Sequence, residues 1–308
     1  MNNIKVSCVG NITDDLLLQV DDFPVLDDVA YVNKSVRCMG GRGAIVALIL
    51  GRASIPTGLL TTMPDISRSY EFIDFLNQNN VCTDGVNISK SAQSLFEAII
   101  AISKQQRNCI SFFKPTEILF EVSETQKQFI RNSDIVYFST HKRAFNKTLL
   151  IEASLSSCSI VHNVSSYFLQ DKEYIDLMLQ KCNVFICNEL EAKAFLDTIK
   201  IKEIPELFNM APELDRIFVT KGEDGSFVYE KEGRCLQIEA KPATAVSPVG
   251  AGDAYSAGIL YGIAQKWSSA HCAKFASELA SISVESNETY PDLERLDKLI
   301  NEFGGKNI

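Results

Sequence analysis

Histidine is scarce in this chain: His141, His162 and His271 are its only three among 308 residues, and they lie far apart. A zinc site built on clustered imidazoles is therefore not expected. The nine cysteines are odd in number, scattered, and never spaced C-x-x-C. Several sit inside apolar runs, as small buried hydrophobes do. That pattern excludes a disulfide framework and reads as a reduced, cytoplasmic protein. No apolar run reaches membrane-spanning length, and MNNIKVSCVG at the start reads as a strand rather than a signal peptide. Lys and Arg form no patch, and the formal net charge is −9, so a nucleic-acid surface is not expected. An anionic substrate must then be held locally, by helix N-termini, a few basic side chains or a metal.

What the chain does have is a full apolar complement, 46%, with 22% charged residues. That suits one large α/β domain, 1–308, without linker or repeat. Ile4 to Val9 is a buried strand. Residues 11–24, where Leu16, Leu18 and Val20 alternate with other residues, and 29–37 predict two half-buried strands, and 94–103 and 109–113, split by KQQRN, predict two more. Together they read as a small sheet laid over the rest, spanning about 13–38 and 93–114. From residue 122 on, strands at 135–139, 159–164, 184–187 and 216–220 alternate with helices, which predicts a three-layer sandwich around a mostly parallel sheet. A hairpin at 225–239 and three helices, 251–265, 269–285 and 291–303, complete the chain.

In such sheets ligands bind beyond the C-terminal strand ends. Four features fall on that rim. Gly40-Gly41-Arg42-Gly43 opens a helix. Asn188 and Glu191 stand three apart at a helix start, either as a capping box or as a metal-side pair. Thr220-Lys221-Gly222, with Gly225 beyond, follows a strand. Gly250-Ala251-Gly252-Asp253 opens the helix of AVSPVGAGDAYSAGILYG. Small residues at a helix N-terminus expose backbone N–H groups to an anion. A carboxylate on that turn repels a static anion, so Asp253 is either an ordinary first-turn acid of a packing helix or a general base for a hydroxyl attacking a phosphoryl group. His162 and Asn163 end a strand on the same rim. Phe96, Phe112 and Phe113 on the lid strands cover either a substrate or the lid's own core.

In order along the chain, VGNITDD, GGRGAIVALILGRA, NELEA, VTKGEDGSFVY and PVGAGDAYSAG resemble the motifs of the ribokinase-like (PfkB-type) carbohydrate and nucleoside kinases. YEFIDFLNQNNV and the segment 95–115 resemble the nucleoside kinase branch. The resemblance implies a ribokinase-like fold with a β-sheet lid and ATP-dependent transfer of the γ-phosphoryl to a primary hydroxyl of a nucleoside or sugar. It implies Asp253 as general base, with Gly250, Ala251 and Gly252 as the anion cradle. Asp15, Gly40, Gly41 and Arg42 fall on the substrate side, and Thr220, Lys221, Gly222 and Gly225 on the nucleotide side. Asn188 and Glu191 would act on Mg2+ through water. A homodimer through the lid is compatible with the pattern. Three positions depart from the family: Ile45 replaces an asparagine that binds a sugar hydroxyl, Ser247 an aspartate that organises a K+ loop, and Val249 a threonine. Dependence on K+ therefore stays open, and a catalytically weak or inactive nucleotide-binding protein is the alternative expectation. The first strand leads into GNITDD rather than G-x-G-x-x-G, which excludes a dinucleotide fingerprint.

Overall fold

The computed structural model describes residues 4–90, 96–103, 106–111, 121–139 and 142–304. Two sheets organise them. The larger begins with β1 (Val6–Val9), whose four residues are all buried, as strands covered on both faces must be. After the lid strands β2 (Thr13–Val20) and β3 (Val32–Gly40) come helix α1 (Arg42–Arg52), β4 (Thr57–Pro64), α2 (Ser67–Gln78) and two short strands, β5 (Val81–Cys82) and β6 (Val86–Ser89). The lid resumes with β7 (Phe96–Ser103) and β8 (Gln106–Ser111). Alternation then takes over: α3 (Glu124–Arg131), β9 (Ile135–Phe138), α4 (Arg143–Ser154), β10 (Ser159–Asn163), α5 (Lys172–Lys181), β11 (Val184–Asn188), α6 (Glu189–Ile199), α7 (Leu207–Met210) and β12 (Arg216–Thr220). The hairpin β13 (Ser226–Glu230) and β14 (Cys235–Ile238) precedes α8 (Ala251–Ala264), α9 (Ser269–Val284) and α10 (Leu293–Gly304).

The large sheet runs β14-β13-β12-β11-β10-β9-β1-β4-β5, with β6 also on β4. Its pairings are parallel except at the β12–β13 and β13–β14 hairpins. Helices cover both faces. One apolar cluster joins the sheet to α1, α2, α8, α9 and α10, and the other joins it to α3 through α7. Helix α8 is almost wholly buried, which fits its uninterrupted apolar and small residues. The GGRG and GAGD turns therefore start helices that lie on the same face.

The lid sheet runs β3-β2-β7-β8, with β2 and β7 parallel. Strand β8 begins three residues earlier than the alternation suggests, and Ser103 pairs with Gln106. Arg107 thus belongs to a strand instead of a turn. Strands β5 and β6 escape a sequence reading because two to four residues carry too little periodicity to register. Along β2 successive side chains face opposite sides. Asp14 faces the two arginines Arg37 and Arg68, accepting from Nη2 of Arg37 at 2.7 Å and from Nε of Arg68 at 3.1 Å. Asp15 faces the other way, toward α8.

Candidate active site

Helix α8 starts at a turn that only glycine suits. Gly250 caps it at φ 82°, and a Cβ there would come within 1.7 Å of the Thr289 carbonyl oxygen. The helical ladder opens with Ala254 N donating to Gly250 O at 2.8 Å, so the amides of Ala251, Gly252 and Asp253 precede it. Asp253 stands on this first turn, its carboxyl opening on a cavity of about 100 Å3. Arg42, Arg107, Asn163, Asn188, Glu191, Thr220, Pro248, Gly250 and Gly252 line the same cavity. Burial raises the Asp253 carboxyl above the usual range, the Arg42 and Arg107 guanidinium groups pull it down, and Glu191 pushes it up.

Arg42 enters from the first turn of α1, behind Gly41 at φ 95°. Its Nη1 donates to Asn163 Oδ1 at 2.5 Å and its Nη2 to Glu191 Oε1 at 3.2 Å. Asp15 is buried, and its Oδ1 has no hydrogen-bond partner. Its carboxyl is pushed up to about 6, first by burial and then by the charges of Asp14 and Asp253. A Cβ on Gly40 would strike Asp15 Oδ2 at 2.0 Å, so the backbone there closes tightly over the acid.

Asn188 and Glu191 form a reciprocal capping box on α6: Glu191 N donates to Asn188 Oδ1 at 2.8 Å, and Asn188 N to Glu191 Oε2 at 3.0 Å. Both line the cavity as well, so the capping pair also borders the site. Among the described residues no group of three or more His, Cys, Asp or Glu could hold a metal. Both are oxygen-bearing residues of the cavity wall, a donor set that suits the waters of a hydrated magnesium and not an all-protein cage.

A second, larger cleft of about 560 Å3 adjoins the first. Thr220, Gly222, Gly225, Ala240, Tyr255 and Val284 are among its walls. It shares Thr220, Pro248 and Gly252 with the Asp253 cavity, so the two open on each other across the first turn of α8. Lys221 stands outside both: its Nζ pairs with Glu189 Oε1 at 2.7 Å and lies 4.8 Å over the Phe227 ring.

A family model for the pfkB family of carbohydrate kinases matches residues 3–296. The chain belongs to the pfkB family. It is 22% identical over 296 residues to a nucleoside kinase of Methanothermobacter thermautotrophicus, covering 96% of this chain and 94% of that one. It is also 22% identical over 305 residues to a 5-dehydro-2-deoxygluconokinase of Clostridium botulinum, covering 92% and 89%. Its fold matches the nucleoside kinase of Burkholderia thailandensis solved with inosine, at a TM-score of 0.81 and 17% identity, over 98% of this chain and 99% of that one. This pfkB-family chain is thus a carbohydrate or nucleoside kinase with a ribokinase-like fold, and no helix among its described residues is long and apolar enough to cross a membrane.

The three departures now have surroundings. Ile45 is buried in the main core and serves packing. Ser247 is buried, with its Oγ accepting from Val249 N at 3.2 Å, while Val246 N and Ser247 N both donate to Val284 O. No carboxylate stands at that position for a monovalent cation. Val249 packs with Leu17, Cys38, Ile100 and Ile102 of the lid. His162 is a core residue, stacked on Phe138 at 6.0 Å. Phe112 and Phe113 lie outside the described residues, as does the side chain of Phe96. Arg107 and the bridging part of Asn163 have no local signal in the sequence, since tertiary structure alone brings them to Asp253.

Proposed function

We propose that the chain transfers the γ-phosphoryl group of ATP to a primary hydroxyl of a nucleoside or, failing that, of a free sugar. The observation that carries this reading is the junction of the two clefts at Gly252, with Asp253 on one side of it and the larger cleft on the other. ATP lies in the larger cleft against Thr220, Gly222 and Gly225, with its phosphates toward the α8 turn. Lys221 contributes through its backbone, its amino group being held by Glu189. The amides of Gly250, Ala251 and Gly252 meet the negative charge of the transferring group, helped by the helix dipole. Asp253 takes the proton from the acceptor hydroxyl as it attacks. Asp15, with a free oxygen, accepts from other hydroxyls of the acceptor, and the tight turn at Gly40 and Gly41 brings the backbone close to it. Asn188 and Glu191 would hold Mg2+ through its waters, and the metal would supply charge that neutralises the phosphates. The lid keeps water, a competing acceptor, from the site.

Nucleosides come first because nucleoside kinases stand among the relatives in both sequence and fold. A panel of nucleosides and sugars incubated with Mg2+ and ATP tests the reading. One or more acceptors should gain one phosphate for each ADP formed. ADP appearing without a phosphorylated acceptor, or no turnover on any of them, would contradict it.

The lid carries a further proposal. Between β2 and β3 the chain exposes Val25, Leu26, Val29 and Tyr31, with Leu26 92% and Tyr31 82% accessible. Such an apolar run at the tip of a small sheet fits a second copy of the chain, giving a homodimer through the lid.

A further inference from the structure

Among the described residues two cations line the Asp253 cavity, Arg107 from the lid and Arg42 from the body of the molecule. Arg42 is held. Its partner Asn163 is buried at the end of β10 and uses both ends of its amide. Oδ1 faces the guanidinium, a group that only donates, which fixes the orientation of the amide. Nδ2 then donates to Ser256 Oγ at 3.4 Å, and Ser256 Oγ donates to Gly252 O at 2.9 Å. One side chain thus ties the first turn of α1, which bears Arg42, to the first turn of α8, which bears Asp253.

Asn163 is itself braced from behind. Its carbonyl faces His162 Nδ1 at 3.0 Å, and His162 Nε2 faces the Tyr174 hydroxyl at 2.7 Å. A carbonyl only accepts, so the imidazole proton sits on Nδ1 and Tyr174 donates to Nε2. Burial lowers the histidine to about 3, which keeps the ring neutral in this role. The His162 ring packs edge-on against Phe168 at 5.3 Å and Tyr174 at 5.6 Å.

We propose that Asn163 is a positioning residue for phosphoryl transfer, fixing the Arg42 guanidinium between Asp253 and Glu191 so that the transferring group meets a cation already in place. The inference rests on the kinase reading above. An amide suits the task where other side chains do not. An aspartate would spend the charge of Arg42 on itself, and an alanine would leave the guanidinium to Glu191 alone. Arg42 would then draw toward Glu191 and away from Asp253.

The test is a double-mutant cycle on the full chain with Asn163→Ala and Arg42→Ala, read as kcat, KM and the pH profile. Asp253 faces Arg42 of α1, Arg107 of β8, Glu191 of α6, Asp15 of β2 and Tyr137 of β9. Asn163→Ala leaves all of these in the chain; it frees the placement of Arg42 and removes the bond to Ser256 Oγ. Turnover should fall about 10- to 100-fold, with KM for ATP and acceptor changed by less than about threefold. The acid limb of kcat should move to higher pH, because Asp253 loses part of its counter-charge. In the Arg42→Ala background the same substitution should cost less than about twofold, since the pair acts as one unit. Multiplying effects, or an acid limb that stays in place, would overturn the proposal. Asn163→Ser, too short to reach Arg42, gives the same readout if the alanine variant folds poorly. Asp253→Asn alongside separates the two readings: wild-type turnover in that variant removes the base assignment and leaves the 42–163 cycle readable.

Discussion

Asp14 and Asp15 are adjacent in sequence and have opposite surroundings. Asp14 accepts from two arginines, and hydrogen bonds and charge from Arg37 and Arg68 hold its carboxyl below the usual range against the opposing effect of burial. Asp15 is raised from 3.8 to about 6. A carboxyl that binds its proton more tightly folded than unfolded makes stability fall as pH rises from about 4 to about 6, and the deficit is complete above that. Replacing Asp15 with asparagine should therefore raise the melting temperature at pH 7.5 and leave it nearly unchanged at pH 4. The gain at neutral pH is at most about 3 kcal/mol. The same change should raise KM for the acceptor. Equal effects at both pH values, or an unaltered KM, would contradict the environment assigned to Asp15. Sequence alone picks Asp15 only through the family motif. The pairing of Asp14 depends on Arg37 and Arg68, which come from elsewhere in the chain and carry no local mark.

Among the elements, the first turn of α8 carries the most. Gly250 and Gly252 look alike in sequence and differ in the fold. Gly250 is left-handed, with the Thr289 carbonyl against it, whereas a Cβ on Gly252 meets nothing within 4 Å. Gly250→Ala should destabilise the protein by about 1–3 kcal/mol or more and abolish turnover. Gly252→Ala should leave the melting temperature unchanged or slightly higher, because alanine favours the helix, yet weaken nucleotide use, because its methyl projects into the junction of the clefts. Thermal unfolding and ATP kinetics on the two variants check this, and equal loss of stability in both would contradict it. Most elements were legible in advance. The run from β9 to β12 shows buried strands alternating with helices, and the glycine turns mark helix starts. The early start of β8, the parallel β2–β7 pairing and the short β5 and β6 were not, because a strand's choice of partner and strands of two to four residues leave no period in the sequence.

Across the whole molecule, two clefts, a lid and a helix N-terminus converge above the C-terminal ends of β10, β11 and β12. That convergence was legible as a rim of motifs. The arginine clamp on Asp253 was not, since it is assembled from α1, β8 and β10. The lid tip carries the molecular-scale prediction. Leu26→Asp combined with Tyr31→Asp should shift the sedimentation coefficient from dimer to monomer, and a wild-type chain that sediments as a monomer at micromolar concentration would contradict the lid dimer. Single-turnover transfer from ATP to the best acceptor of the panel, wild type against Asp253→Asn, isolates the proton-accepting role proposed for Asp253. The rate should be lower by about 10²- to 10⁴-fold with ATP binding retained; a variant that transfers phosphate at the wild-type rate would remove Asp253 as the base.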